Sequence, residues 1–359
     1  MLRFFRFFLD YYKKNRKQIL ILFFSFILGA ILFTSIFFYV DYKDLAQQIF
    51  KFSFWKFLIF LIVSSLVLIL TTYRWSLVLK AYDVKIKFWK LFRYRLAGFG
   101  FSYMTPIAEL GGAPFRAYLL KKENVKFSTG LLTVIIDNFL DVFTQSLIAA
   151  FGLALFISHL GLSSKMSWLL GVSAAFFIIL VAWVYLRLRR GRVVIAPLFK
   201  LLKIKKLYRK MVKIERPFVN FFASHRRVFF KAISLSLLTF LVSVFEIGIL
   251  LSLMGFYLGI FNTFFAKVIL NAANLFPVPA ALGVSEWTQA GFFEGIMQGR
   301  SAGLTFSVLF KAKNIFYSLL GISFFLYWWH KRTKWYQKPL NFLKNKINEI
   351  ILSENIKKP

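Results

Sequence analysis

Eight ionisable residues stand inside or at the edge of long apolar runs: Glu109, Arg116, Asp137, Asp141, Glu246, Glu286, Lys311 and Lys313. A charge in such a setting is costly unless it meets a partner or a wet cavity, so any chemistry is to be sought among them. Asp137 and Asp141 are four apart and share a helix face, where two carboxylates repel unless a cation sits between them. Arg116 and Lys311 are cations of the required kind. Structural ion pairs that hold helices in register are the competing reading, above all for Asp141 and Lys313. Other chemistries find little support. His159, His225 and His330 are too scattered for a metal set or a catalytic triad, and cysteine is absent, so thiolate metal sites and disulfides are excluded. No Gly-rich phosphate loop follows a strand, and neither a cofactor nor a metal is expected.

The elements that must carry these charges are membrane helices. Of the 359 residues 59% are hydrophobic and the mean hydropathy is +0.66, more apolar surface than a water-soluble fold can hide. Six runs are long enough to cross a hydrocarbon core of about 30 Å as helix: 19–40, 57–75, 129–158, 168–186, 233–257 and 303–329. Their continuity excludes barrel strands, which are about ten residues long and alternate in polarity. The expected fold class is therefore an all-α polytopic membrane protein. The first run has no small-residue cleavage site at its far end and reads as a retained helix rather than a secretory signal. Residues 2–12, which mix Phe with Arg3 and Arg6, suit a short amphipathic piece at the interface.

A formal charge of +34 raises the question of nucleic acid, but in so apolar a chain the placement of Lys and Arg between spans is the better guide. Basic residues crowd 13–17, a 74–95 loop, a long 187–231 loop and the tail from Lys331, all expected to be cytoplasmic, as are both termini. The connections 41–56, 159–167 and 258–262 carry few and should face outward. The 187–231 loop suits attraction to anionic headgroups, and nucleic acid is dropped as a partner. Within it, residues 197–216 have the spacing of an amphipathic surface helix that stops at Pro217.

Two apolar segments are interrupted. Residues 95–118 contain Pro106, Glu109, Gly111 and Gly112; residues 262–300 contain Pro277, Pro279, Gly283 and Glu286. Proline removes a backbone donor and glycine permits irregular backbone, so each should be a helix-break-helix hairpin. Irregular backbone at membrane depth survives only where protein or a water-filled cavity satisfies it, and the breaks are expected to line one polar cavity. With the hairpins entered from opposite sides, the order span, span, re-entrant hairpin, span repeats with every direction reversed. Residues 1–160 and 161–335 would then be inverted halves of one domain, followed by a cytoplasmic tail at 336–359, a plan shared with secondary transporters.

The run 106–112, Pro-Ile-Ala-Glu-Leu-Gly-Gly, then Arg116-Ala117-Tyr118-Leu119-Leu120, then Asp137-Asn138-Phe139-Leu140-Asp141, then 277–286, Pro-Val-Pro-Ala-Ala-Leu-Gly-Val-Ser-Glu, resembles the lysylphosphatidylglycerol synthase transmembrane-region family. That family is the flippase-like membrane half of multiple peptide resistance factors, and many members stand alone. The chain departs from it at Asn138, where the family often has Arg, and at Ala280-Ala281, where Gly-Gly is common and alanine should stiffen the break. A soluble aminoacyl transferase domain is not expected. The resemblance implies translocation of a polar or charged phospholipid or glycolipid headgroup across the cytoplasmic membrane, with membrane lipids as partners. An intramembrane lipid-modifying transferase using Glu109 or Glu286, or a scaffold for a separate lipid-modifying enzyme, are the alternatives. On the leading reading Arg116 binds the lipid phosphate in a bidentate fork. Glu109 and Glu286, with Asp137, Asp141 and Lys311, complete the headgroup site, and the breaks at Pro106, Gly111, Gly112, Pro277, Pro279 and Gly283 line its cavity.

Overall fold

The computed structural model describes residues 16–39, 42–104, 112–159, 164–194, 196–201, 204–274, 276 and 278–355. In chain order the helices are α1 (Arg16–Ser35), α2 (Tyr42–Lys51), α3 (Phe54–Lys80), α4 (Phe88–Met104), α5 (Gly112–Leu120), α6 (Phe127–His159), α7 (Ser164–Arg189), α8 (Ala196–Leu201), α9 (Lys205–Ser224), α10 (Arg226–Met254), α11 (Ile260–Ala273), α12 (Val284–Gly295) and α13 (Arg300–Asn355). The protein is an all-helical polytopic membrane protein, and no strand occurs among the described residues. Four helical stretches are long and apolar enough to cross a bilayer: Phe54–Lys80, Phe127–Ala149, Arg226–Met254 and Arg300–Tyr327. The expected run 168–186 falls within the continuous helix α7, and the run from 19 falls on α1 as far as Ser35, where a 3-10 turn at Ile36–Phe38 follows. Large apolar side chains such as Ile62, Phe176, Leu241 and Phe245 point outward, as lipid-facing residues should.

The core is an interlocked set of α3, α4, α6, α10, α11, α12 and α13. The most extensive contacts join α4 to α13, α3 to α10, α12 to α13, and α6 to α5 and α7. One apolar cluster, with Phe60, Ile247, Leu250, Leu270, Phe293 and Phe306, ties α3 and α10 to the α11–α12 hairpin and α13. Another, with Trp75, Leu79, Leu91, Leu119, Leu120 and Val134, ties α3 and α6 to α4 and α5.

Both interrupted segments are helical hairpins. In the first, the Tyr94 hydroxyl donates to Glu123 Oε1 at 2.7 Å and the Gly112 amide to Ser102 Oγ at 2.9 Å, so α5 runs back along α4. Its connection, 105–111, with Pro106, Glu109 and Gly111, lies outside the described residues. In the second, Gln289 Nε2 on α12 donates to Ala266 O on α11 at 3.0 Å. Pro277 lies outside the described residues, while Pro279–Ala281 form one 3-10 turn that packs against α1 and α4. Ala280 and Ala281 hold φ of 54° and 47°, ahead of Gly283 at 78°. Two alanines thus occupy the left-handed region that glycine enters freely, at a cost of about 1–2 kcal/mol each.

Two expectations need correction. The 74–95 loop is not a loop: α3 continues to Lys80 and α4 begins at Phe88, leaving a connection of residues 81–87. The run Leu77-Val78-Leu79 keeps the helix going, with Val78 and Leu79 buried, and Arg74 is drawn into the core by carboxylates on α6. The 187–231 connection carries the amphipathic helix expected within it, as α9 preceded by the short α8, and Val219, Phe221 and Phe222 of α9 pack on Ile136, Leu140 and Leu188. Finally, Pro217 does not stop the surface helix. It lies inside α9, which the buried aromatic face beyond the proline carries on to Ser224.

Candidate functional site

The charges gather in three buried groups at helix crossings. In the first, α6 presents Asp137 and Asp141 toward Arg74 on α3. Arg74 Nε donates to Asp137 Oδ1 at 2.9 Å, while Nη1 donates to Asp141 Oδ1 at 2.5 Å and to Ser236 Oγ on α10 at 2.9 Å. The cation required between the two carboxylates is therefore Arg74. Asp137 also accepts from Arg95 on α4 at 3.0 Å and from Arg116 on α5 at 3.3 Å, so three guanidiniums converge on one fully buried carboxylate. Arg116 donates further to Asn138 Oδ1 at 2.6 Å, and its guanidinium lies 5.2 Å from the ring of Trp75. Close approach of α4 makes this possible, since a Cβ on Gly98 would lie 2.3 Å from Arg116 Cγ. Three arginines against two aspartates leave one excess positive charge.

In the second group, Glu246 on α10 accepts from Lys313 Nζ at 2.7 Å and from the Ser64 hydroxyl on α3 at 2.5 Å. The Lys313 ammonium sits 3.5 Å from the centroid of Phe310, an electrostatically favourable cation–π contact that helps to compensate its burial. In the third, Glu286 near the start of α12 pairs with Lys311 at 2.5 Å and accepts from Ser285 Oγ at 3.0 Å. Lys311 also donates to Ala281 O at 3.3 Å, so side chains rather than a water-filled space satisfy that carbonyl of the second break. Lys311 is thus a partner of Glu286 and not of the aspartates.

Between the first and second groups lies a cavity of about 210 Å³. Five charged side chains reach its wall: Arg95, Asp141, Glu246, Lys267 and Lys313. Gln145, Asn271, Asn274 and Asn314 add amides, and several Ser and Thr hydroxyls complete a lining that can exchange hydrogen bonds in both senses. Of the headgroup-site residues expected from sequence, Asp141 reaches this wall, and so do Glu246 and Lys313 from the wider set of buried charges. Asp137 and Arg116 stand behind it in the ion-pair network, and Glu286, Lys311, Gly112, Pro279 and Gly283 are not among its described lining residues. Arg74, Arg95, Lys267 and the three asparagines escaped the sequence reading. A pocket of about 230 Å³ elsewhere, on the flank of α4, is lined by Arg93, Lys122, Phe324 and Phe325 among others; it is mostly apolar and contains none of the buried ion pairs. Among the described residues no three Asp, Glu or His side chains are arranged to hold a metal ion.

Two curated relatives, both described as UPF0104 membrane proteins of Methanothermobacter thermautotrophicus, are similar to parts of the chain. One is 30% identical over 128 residues, covering 35% of this chain and 37% of the relative. The other is 28% identical over 141 residues, covering 39% of each. The matches thus span little more than a third of the relatives' length. The profile of the lysylphosphatidylglycerol synthase TM region matches residues 21–321, which takes in every buried ion pair and the whole cavity wall, and the chain belongs to that family.

Proposed function

We propose that the protein translocates a polar or charged lipid headgroup, of a phospholipid or a glycolipid, through the cavity between α3, α4, α6, α10, α11 and α13. The observation that carries this reading is the wall itself: five charged groups and four side-chain amides facing a space inside a membrane bundle. A unit charge at the bilayer centre costs at least about 2.5–3.5 kcal/mol on the lenient insertion scale, so a helix bundle retains such groups where they serve a polar path. In this reading the headgroup enters the cavity while its acyl chains stay in lipid. Arg95, Lys267 and Lys313 face its anionic part, and Asp141 with the asparagines faces its hydroxyl or amine part. Arg116 positions Asp137 and, through it, Arg95. The cytoplasmic membrane as location and cytoplasmic termini belong to the same proposal, motivated by the basic connections at 81–87 and 187–231.

The test is purified protein in liposomes with a panel of fluorescent phospholipids and glycolipids, one leaflet being bleached by an impermeant reductant. Faster loss of inner-leaflet label than in protein-free liposomes is expected for at least one headgroup. The same background rate for every lipid would refute the proposal.

A further inference from the structure

The helices repeat with a fixed spacing. α10, α11 and α12 begin at residues 226, 260 and 284, each 172 residues after α3, α4 and α5, which begin at 54, 88 and 112. α13 begins at 300, one residue beyond the same spacing from α6 at 127. The turns repeat too: the Val84 amide donates to Leu79 O after α3, and the Phe256 amide to Leu251 O after α10. Asp83 and Gly255, equivalent at this spacing, both have positive φ. The two sets run in opposite directions where they meet. Ser64 on α3 contacts Glu246 on α10, and Arg74 on α3 contacts Ser236 on α10. Ser64 and Ser236 are equivalent positions, as are Arg74 and Glu246, so each helix touches the other through the same two positions. Such reciprocity is the mark of a two-fold relation.

The spacing organises the cavity. Thr71 and Ser243, Phe99 and Asn271, and Arg95 and Lys267 are equivalent pairs, and all six residues line it. On the long helices the equivalent charges have opposite sign, Arg74 against Glu246. On the hairpins the sign is kept: Arg95 on α4 and Lys267 on α11 are both cations. Each shares the cavity wall with a carboxylate of its own half, Arg95 with Asp141 and Lys267 with Glu246, and Arg95 lies 3.0 Å from Asp137.

We infer that Arg95 and Lys267 are a two-fold-related pair of phosphate ligands, one on each hairpin, between which an anionic phosphate-bearing lipid is handed as it crosses. This rests on the translocation reading and adds to it the ligand class and both ligands. A single buried cation would hold a phosphate too well, whereas transport needs sites favourable enough to enter and weak or numerous enough to leave. Two equivalent cations on one cavity wall meet that need, since the attraction is divided between two sites.

The experiment compares wild type with Arg95→Gln, Lys267→Gln, the exchanged pair Arg95→Lys with Lys267→Arg, and Arg93→Gln as a control outside the cavity. Binding of short-chain phosphatidylglycerol, and of inorganic phosphate in parallel, is measured by calorimetry on detergent-purified protein whose folding is verified by thermal unfolding. Transport of labelled phosphatidylglycerol and of a phosphate-free glucosyl diacylglycerol is measured in liposomes. Losing one charge-assisted contact should weaken binding and slow phosphatidylglycerol transport at least about tenfold for either Gln variant. The exchanged pair should stay within about threefold of wild type, and Arg93→Gln and the phosphate-free lipid should be unaffected. Because Arg95 also neutralises Asp137, the exchanged pair shows whether its loss acts through folding or through the ligand. Phosphatidylglycerol handled by Lys267→Gln as by wild type would overturn the inference, as would inorganic phosphate binding as tightly as the lipid. If wild type moves no lipid, translocation fails on its own, and equal dependence of binding on both residues still decides the pair.

Discussion

Replacing Arg74 by Met removes the one side chain among the described residues that hydrogen-bonds both Asp137 and Asp141, while keeping most of its volume. The consequences for the two carboxylates differ. Asp137 keeps Arg95 at 3.0 Å and Arg116 at 3.3 Å and stays compensated. Asp141 loses its 2.5 Å partner and keeps a 3.2 Å hydrogen bond from Gln145, with its side chain 36% exposed. Removing one partner of a buried pair costs about 3–5 kcal/mol, and access to the polar cavity places Asp141 at the low end, about 3 kcal/mol. The reasoning then separates two double variants. Asp141→Asn added to Arg74→Met removes the orphaned charge and should recover about 1–2 kcal/mol. Asp137→Asn in the same background strips Arg95 and Arg116 of their shared counter-ion and should lower stability further. Reversible unfolding in mixed micelles reads all four proteins. Arg74→Met as stable as wild type, or Asp141→Asn giving no recovery, would refute the account of Arg74 as the clamp between the two aspartates.

Other outcomes follow from single features. Ala280→Gly should stabilise the protein by about 0.5–1 kcal/mol in the same unfolding assay, because relief of left-handed strain exceeds the entropy that glycine adds to the unfolded chain. Glu215 accepts the amides of Val194 and Ala196, so Glu215→Gln should cost about 1–2 kcal/mol and speed hydrogen exchange at those two amides at least about tenfold. With no native cysteine, single cysteines at Ser164 and Ser224 report orientation cleanly. An impermeant maleimide applied from outside should label the first and spare the second, and labelling of Ser224 would reverse the proposed topology.

The spans were legible because a hydrophobic run of sufficient length has few other uses, and the shared face of Asp137 and Asp141 followed from a spacing of four. Arg74 and Arg95 were misplaced for a related reason. They stand on either side of a short connection, near Lys80, Lys85 and Lys87, and a basic cluster at a span end reads as a loop. Only the carboxylates on α6, far away in sequence, draw both arginines inside. Pro217 misled because local preference favours a helix stop, whereas Phe218, Phe221 and Phe222 beyond it had a core to fill. The Pro and Gly breaks suggested a repeated order of elements, but the residues that face the cavity depend on helix rotation. Lys267 was missed because it sits within an apolar stretch with no neighbouring charge. The signal that finds it is the spacing of the two halves, which sets Lys267 where Arg95 stands in the first.

The reciprocal contact between α3 and α10 also has an electrical meaning. Ten residues separate Ser64 from Arg74, about 15 Å of helix, so the Glu246 group beside Ser64 and the Arg74 group lie at different depths. With the helices along the bilayer normal, that step is about half of a 30 Å hydrocarbon core. A net negative headgroup carried between the two levels would cross about half of the membrane potential, worth about 1.2 kcal/mol at 100 mV, or roughly a sevenfold bias between the levels. A protein built this way would move anionic lipids faster in one direction in an energised membrane than in a de-energised one, and neutral lipids equally in both.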